Sequence, residues 1–418
     1  MSFSNLPPEL VRRIVSYFEA SSDTNALAST NRTLRQVVFG YLYKNRSAYG
    51  LPSNESYQTI PLPEDDSFVR RTEISQRIRQ GLVVDQGGHR RFALVGIGGI
   101  GKTQIATQHA YDLYKQSSAS VFWLDCHTVA TLRSSYTTIA SRLQLPAHYD
   151  TKRCLFRLVH GWLCDVENGP WLVVIDDLNE SWPISSFIPE CSHGSILVTS
   201  RNTTVVQGLV GEDNICFVPP MCKEEALNLL AHRLPSLYNG EGDRRTDLVI
   251  ALDCVPMAIV QAAATIWRRH PHMSVEKYVN DLENGGKKSS HLKRTFGDLR
   301  TCRFEQDNSV MRTWETVFER IYRESRSAAL LLCRLSASES NTTQLQEPMT
   351  DDMEILSSYS LITKGSEAGD VHMLSLVQFC IRKWAEMKFK DLLVEDIRAW
   401  KCGRVGEVAW DLVKSQTG

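Results

Sequence analysis

Eleven cysteines are scattered through the 418 residues with no Cys-x-x-Cys and no His/Cys pair at zinc spacing. That excludes a structural zinc site and a disulfide framework, and leaves reduced, mostly buried thiols of a reducing compartment. Charge of one sign is also missing. Lys and Arg number 47 against 48 Asp and Glu, a net charge of -1, so no electrostatic surplus calls for nucleic acid or an acidic membrane as partner. No apolar run approaches the ~20 residues that span a bilayer. The opening stretch, Met1 to Glu9, has no apolar signal core. These absences lead us to expect an intracellular protein, cytoplasmic or nuclear. No repeat of roughly 34 or 40 residues is present, which argues against a solenoid array within the chain.

With 42% hydrophobic and 23% charged residues the chain has the composition of a folded protein, and its length exceeds one ordinary core. Everything is arranged around Phe92-Ala-Leu-Val-Gly-Ile-Gly-Gly-Ile-Gly-Lys-Thr103. An apolar run, then Gly-x-x-x-x-Gly-Lys-Thr, then a helical pattern from Gln104 to Tyr111 make a strand, a phosphate-binding loop and a helix. Gly96, Gly98, Gly99 and Gly101 allow backbone dihedrals that turn successive N–H groups toward phosphate oxygens. Ile100 sits within that cradle. Lys102 is placed for β- and γ-phosphates, Thr103 for Mg²⁺, and Gln104 for the first turn of a helix whose N-terminus favours anions.

Further apolar runs alternate with helical patterns: Ser120 to Asp125, Trp171 to Asp177, Gly194 to Arg201 and Asn214 to Val218 read as strands, with helices over 129–145 and 154–166 between the first two. This alternation predicts a parallel sheet with helices on both faces, a three-layer α/β P-loop NTPase, with ligand at the carboxyl ends of the strands. Asp176 emerges at that edge to serve Mg²⁺, and Asp177 beside it to orient water; the plainer alternative is a surface pair closing the strand. Arg201 ends the next strand at the same edge, within reach of a γ-phosphate, or simply in solvent.

The flanks are helical. Residues 1–50 form a small all-α unit, 51–63 a proline-bearing linker, and 64–219 the nucleotide domain. Residues 220–284 are a helical domain with helices over Glu224 to Leu230, Leu248 to Trp267 and Ser274 to Leu282. A basic linker, 285–305, precedes 306–388, a second mostly helical domain, and 389–418 continue as a helix with Leu393, Ile397, Trp400 and Leu412 on one face.

Taken together, Phe68 to Arg71, Gly96 to Thr103, Val121 to Asp125, Leu172 to Asp177, Gly194 to Arg201, Leu252 to Ala258 and Ser309 to Trp314 resemble the NB-ARC class of signalling NTPases in its fungal form. The resemblance implies an ATP/ADP-binding switch with Mg²⁺, slow hydrolysis through Asp177 and Lys102, and nucleotide-dependent domain rearrangement or oligomerisation. It makes 306–388 a winged-helix domain, places Arg71 by the adenine and ribose, packs Pro256 on the nucleotide, and sets Arg201 on the γ-phosphate. It also implies self-association or a signalling partner protein. The chain departs from the pattern at Arg70, Thr72 and Cys254, and at Leu374, which stands where the family has a histidine touching ADP. His372 lies about 6.5 Å away if the segment is extended, too far for a simple exchange. Residues 1–45, with Leu6-Pro-Pro-Glu-Leu10, resemble an F-box, which docks on a ubiquitin-ligase adaptor. Two alternative functions follow: an F-box substrate receptor using the NTPase fold as a platform, or a non-hydrolysing nucleotide-bound scaffold.

Overall fold

The computed structural model describes residues 56–82, 90–143, 145, 152–179, 190–234, 244–283, 310–338, 340–344, 351–365 and 370–388. The F-box-like stretch, the 285–305 linker and the C-terminal helix lie outside the described residues, as does any ligase contact through them.

Where apolar residues are consecutive, strands form: β1 (Arg90–Val95), β2 (Ser120–Asp125), β3 (Trp171–Asp176), β4 (Gly194–Ser200) and β5 (Ile215–Phe217). They make one sheet in the order β2-β3-β4-β1-β5, all neighbours parallel. Residues Trp171 to Ile175 are buried on both faces, at about 1.5–3 kcal/mol for each large side chain. The two faces feed different cores. Ala93, Val95, Phe122 and Val173 pack under α3 (Val129–Arg142), α4 (Lys152–Cys164) and α5 (Thr203–Val210). Leu94, Trp123, Val174 and Leu197 face the other way, toward α1 (Thr72–Leu82) and α2 (Lys102–Gln116). Thr128 and Asn202 start α3 and α5 by accepting backbone N–H groups from Thr131 and Thr204.

Part of the stretch expected as a linker is ordered against the sheet. Tyr57 and Thr59 exchange backbone hydrogen bonds with Val121 (2.7 and 3.0 Å), and the Tyr57 ring meets Trp162 edge-on. Covering the outer edge of β2 removes a row of unpaired backbone groups, which a proline-based reading of the segment does not reveal.

The second core runs on into α6 (Lys223–Arg233), α7 (Arg244–Ala251), α8 (Pro256–Arg268) and α9 (Val275–Glu283). It continues into a last unit of α10 (Val310–Glu324), α11 (Arg326–Ser336), β6 (Thr342–Gln344), α12 (Asp351–Ser358), β7 (Thr363–Lys364), β8 (Asp370–His372) and α13 (Ser375–Lys388). Its three short strands pair antiparallel in the order β6-β8-β7. Among the described residues no helix is long and apolar enough to cross a membrane.

The single helix expected over Leu248 to Trp267 is two. Asp253 and Cys254 take left-handed backbone conformations (φ 49° and 52°), and the Cys254 N–H returns to the Val249 carbonyl at 2.9 Å. The break re-aims the chain so that Pro256 opens α8 as its first residue. It also frees Asp253 to accept the Leu376 N–H at 2.6 Å, which ties the helical domain to the start of α13. A side chain in the left-handed region costs about 1–2 kcal/mol, part of which glycine returns through its greater freedom in the unfolded chain. Cys254→Gly is therefore expected to raise stability by about 0.5–1 kcal/mol, read as a higher denaturation midpoint.

Candidate functional site

The glycine loop begins where β1 stops. Gly99 and Gly101 have φ of 79° and 97°, and Lys102 is the first residue of α2. The lysine side chain is buried, with Nζ donating to the carbonyls of Gly96 (2.7 Å) and Ile97 (2.9 Å). Burial, reinforced by Arg201, pulls its pKa down to about 7. Gln104 follows within the first turn of α2, half-buried.

Because β4 lies between β1 and β3, Arg201 emerges between the loop and the acidic pair. Register sets the level of the edge: Val95 faces Ser200, and Asp125 faces Asp176. Asp176 Oδ1 accepts the hydroxyls of Thr103 (2.9 Å) and Thr199 (2.6 Å). Burial nevertheless raises its pKa to about 6. Asp177 has left-handed backbone (φ 56°), so its side chain leaves the strand pattern. Its Oδ1 accepts from Asn179 Nδ2 at 2.7 Å and faces Arg201 Nε at 3.4 Å, while Oδ2 lies 3.0 Å from His127 Nδ1. Despite burial, the His127 hydrogen bond and Arg201 hold this carboxyl well below the usual range, and Asp177 in turn raises the imidazole's pKa.

Two later units lie directly on the loop. The Met257 N–H donates to the Gly99 carbonyl (3.1 Å), and Trp314 Nε1 to the Gly98 carbonyl (2.9 Å). A Cβ at Gly98 would stand 2.5 Å from Thr313 Cγ2, and one at Gly99 2.8 Å from Met257 Cβ, distances no real contact tolerates. Pro256 Cγ is 3.9 Å from where a Gly101 Cβ would be. Arg201 also reaches the Thr313 carbonyl, at 3.4 Å. A cavity of about 830 Å³ opens beside this junction, lined by His127, Asp177, Asn179, Arg201, Arg320 and Tyr359 among others.

Every sequence-predicted site residue except Arg71 therefore gathers at or beside one sheet edge. The Arg71 guanidinium is buried and donates to the carbonyls of Pro219 (2.8 Å) and Pro220 (2.9 Å), with Glu225 3.1 Å from Nε. That holds the first helix of the helical domain against the start of the nucleotide domain. His372 is exposed on β8 and 2.8 Å from Thr342 Oγ1. Sequence reasoning missed Thr199, Asn179, His127 and Trp314. For His127 a signal existed, since it lies two residues past Asp125, which the register sets beside Asp176.

The residues fit a nucleotide with Mg²⁺. A glycine loop with positive φ at Gly99 and Gly101, an ammonium at a helix start and two convergent hard oxygens, on Thr103 and Asp176, match phosphate and a cation that keeps most of its ligands as water and phosphate. Among the described residues no group of three metal-ligating side chains exists.

The NB-ARC domain family matches residues 71–234. A nucleotide-binding leucine-rich repeat (NLR)-like protein of Hyaloscypha variabilis is 26% identical over 363 residues, covering 79% of this chain and 36% of that protein. A probable disease resistance protein of Arabidopsis thaliana is 25% identical over 231 residues, 52% of this chain and 25% of its own length. The chain thus spans about a third or less of these relatives. Among solved structures, Cdc6p from Pyrobaculum aerophilum aligns at 12% identity and a TM-score of 0.35, over 79% of this chain and 97% of that one.

Trp314→Phe removes the donor to the Gly98 carbonyl and leaves that buried acceptor unpaired. A loss of about 1–3 kcal/mol is expected, measured by urea unfolding, with α10 loosened from the loop in hydrogen exchange.

Proposed function

From the premise that this chain carries an NB-ARC domain across residues 71–234, we propose that it is an ATP/ADP-binding switch whose phosphate count governs how the helical and last domains sit on the nucleotide domain. The observation that carries the reading is the packing of Met257 and Trp314 onto Gly99 and Gly98. A ligand in the cradle meets three units at once, so it can favour one arrangement of them over another.

In this reading Gly96 to Gly101 hold phosphate through backbone N–H groups, and Lys102 leaves the Gly96 and Ile97 carbonyls to pair with β- and γ-oxygens. Thr103 and Asp176 hold Mg²⁺, which neutralises phosphate charge. Arg201 exchanges Asp177 and the Thr313 carbonyl for the γ-phosphate, and Pro256 packs on the nucleotide beside the loop. Asp177 orients water for slow hydrolysis once Arg201 has left it. The helices and antiparallel three-stranded sheet of 310–388 support reading that unit as a winged-helix domain. Self-association or a protein partner would then respond to the rearrangement.

Purified full chain is expected to retain nucleotide identifiable by mass spectrometry, and Lys102→Ala to lose it with fold intact by circular dichroism. Equal retention in both would overturn the reading.

The lysine also sets a pH signature. Its pKa is lowered to about 7 in the fold against the usual 10.5, so the unfolded chain binds more protons between those values and stability rises with pH through that window. Phosphate beside the side chain restores its charge. Nucleotide binding at pH 8 is therefore expected to take up a proton, seen by calorimetry as a heat that varies with buffer ionisation enthalpy; no such variation would place Lys102 away from phosphate.

A further inference from the structure

Both oxygens of the Asp177 carboxyl are held, by groups that follow the ends of β2, β3 and β4. Oδ1 accepts from Asn179 Nδ2 at 2.7 Å and faces Arg201 Nε at 3.4 Å, while Oδ2 faces His127 Nδ1 at 3.0 Å. A carboxylate can only accept, so the imidazole hydrogen of that contact sits on Nδ1. The turn that carries His127 is fixed by its own bonds. The Cys126 N–H donates to the Asp176 carbonyl at 2.8 Å, the His127 N–H to Asp125 Oδ1 at 2.9 Å, and Thr131 Oγ1 to the Asp125 carbonyl at 3.1 Å. Asp177 takes left-handed backbone (φ 56°), with its N–H on Thr199 Oγ1 at 3.0 Å. A strained residue gripped from three directions is a feature of functional sites, and an exposed His–Asp pair adds little to stability.

We propose that His127 is a positioning residue for ATP hydrolysis: it holds Oδ2 of Asp177, so that the carboxylate keeps its plane when Arg201 leaves Oδ1 for the γ-phosphate and the attacking water takes the vacated place. This rests on the switch reading above. The reason is geometric. Once Arg201 has gone, the Asn179 bond to Oδ1 is a single pivot about which the carboxylate can swing; a second bond, on Oδ2, fixes its plane. A catalytic water has to be held to within a fraction of an ångström, because small misplacements are costly in rate.

The cavity of about 830 Å³ that His127, Asp177, Asn179 and Arg201 share admits water to that place. In the step itself the water oxygen bonds to the γ-phosphorus, the bond from that phosphorus to the β–γ bridging oxygen breaks, and its electron pair leaves on ADP. ATP and one water give ADP, phosphate and one proton, which passes to solvent. Asp177 accepts a hydrogen bond from the water, and His127 acts only through Asp177.

Single-turnover ATP hydrolysis and ATP affinity are measured on the full chain and on His127→Ala, His127→Asn, Asp177→Asn and the His127→Ala/Asp177→Asn double variant. The His127 side chain is 65% exposed, so its replacement opens no core. Asparagine carries an N–H donor one bond past Cγ, where the imidazole has Nδ1. His127→Ala is expected to slow hydrolysis about tenfold at unchanged ATP affinity, and His127→Asn to recover most of the rate. In the double variant the loss of His127 should cost nothing beyond Asp177→Asn, since its effect passes through that carboxylate. Three results would overturn the proposal: a His127→Ala rate equal to that of the unaltered protein, a His127→Asn rate as low as that of His127→Ala, or losses that multiply in the double variant. Unaltered protein that retains ATP without turning it over would overturn it too and leave the switch standing. Equal nucleotide retention by the unaltered chain and Lys102→Ala would overturn the switch and this role together.

Discussion

The approach of two helix starts to one glycine loop governs this structure. At Gly98 and Gly99 the loop has no room for a Cβ, because Thr313 and Met257 already occupy it. Glycine at these positions therefore serves two requirements: the backbone that can cradle phosphate, and the close seating of α8 and α10. Packed interiors transmit such constraints, since a shift of a methyl's width must be taken up by neighbours. Here the neighbours are the first residues of two helices that belong to the same continuous core as the outer sheet face. The loop is thus the point at which the nucleotide domain and the two later units are mechanically joined.

Electrostatics divides the labour among adjacent acids. Asp176 and Asp177 are consecutive, yet their environments push them apart: burial lifts the first to about 6, while His127, Arg201 and Asn179 hold the second down. The cause is geometric. Asp176 ends a strand and lies under the hydroxyls of Thr103 and Thr199; Asp177 turns outward through a left-handed residue, where cations and an amide meet it. Neighbouring carboxyls with diverging protonation behaviour suit different tasks, which in the proposed switch are ligating Mg²⁺ and orienting water.

How far the sequence anticipates this depends on whether a feature is local. The five strands are legible because each is a run of consecutive apolar residues, and the loop because glycine, lysine and threonine stand at fixed spacing. Asp176, Asp177 and Arg201 follow from parallel strands ending at one edge. The split near Asp253 is not legible, since left-handed residues there answer to where α8 must point and to the Leu376 N–H that Asp253 accepts. Thr199 and Trp314 are single polar or aromatic residues whose partners lie far along the chain, and no period marks them. Arg71 shows a different limit. A motif locates the arginine but says nothing of Pro219, Pro220 and Glu225, which hold its guanidinium. His127 needed only the pairing of β2 with β3 to be found.

The magnitude of the Arg201 contacts constrains how a switch of this kind can work. Both its approaches, to Asp177 and to the Thr313 carbonyl, are 3.4 Å, at the weak end of hydrogen bonding. Releasing them costs about 1–3 kcal/mol together. A phosphate that takes the guanidinium replaces one anion by another, so the net difference is smaller still. Moving a two-state equilibrium from 1:99 to 99:1 takes about 5.5 kcal/mol, which Arg201 alone does not supply. The remainder has to come from groups whose surroundings change with it: the Trp314 bond to Gly98, the Met257 bond to Gly99, and the buried lysine that regains its charge beside phosphate. In the switch proposed above, Arg201 would distinguish one phosphate more from one fewer, and the glycine loop would make the distinction large.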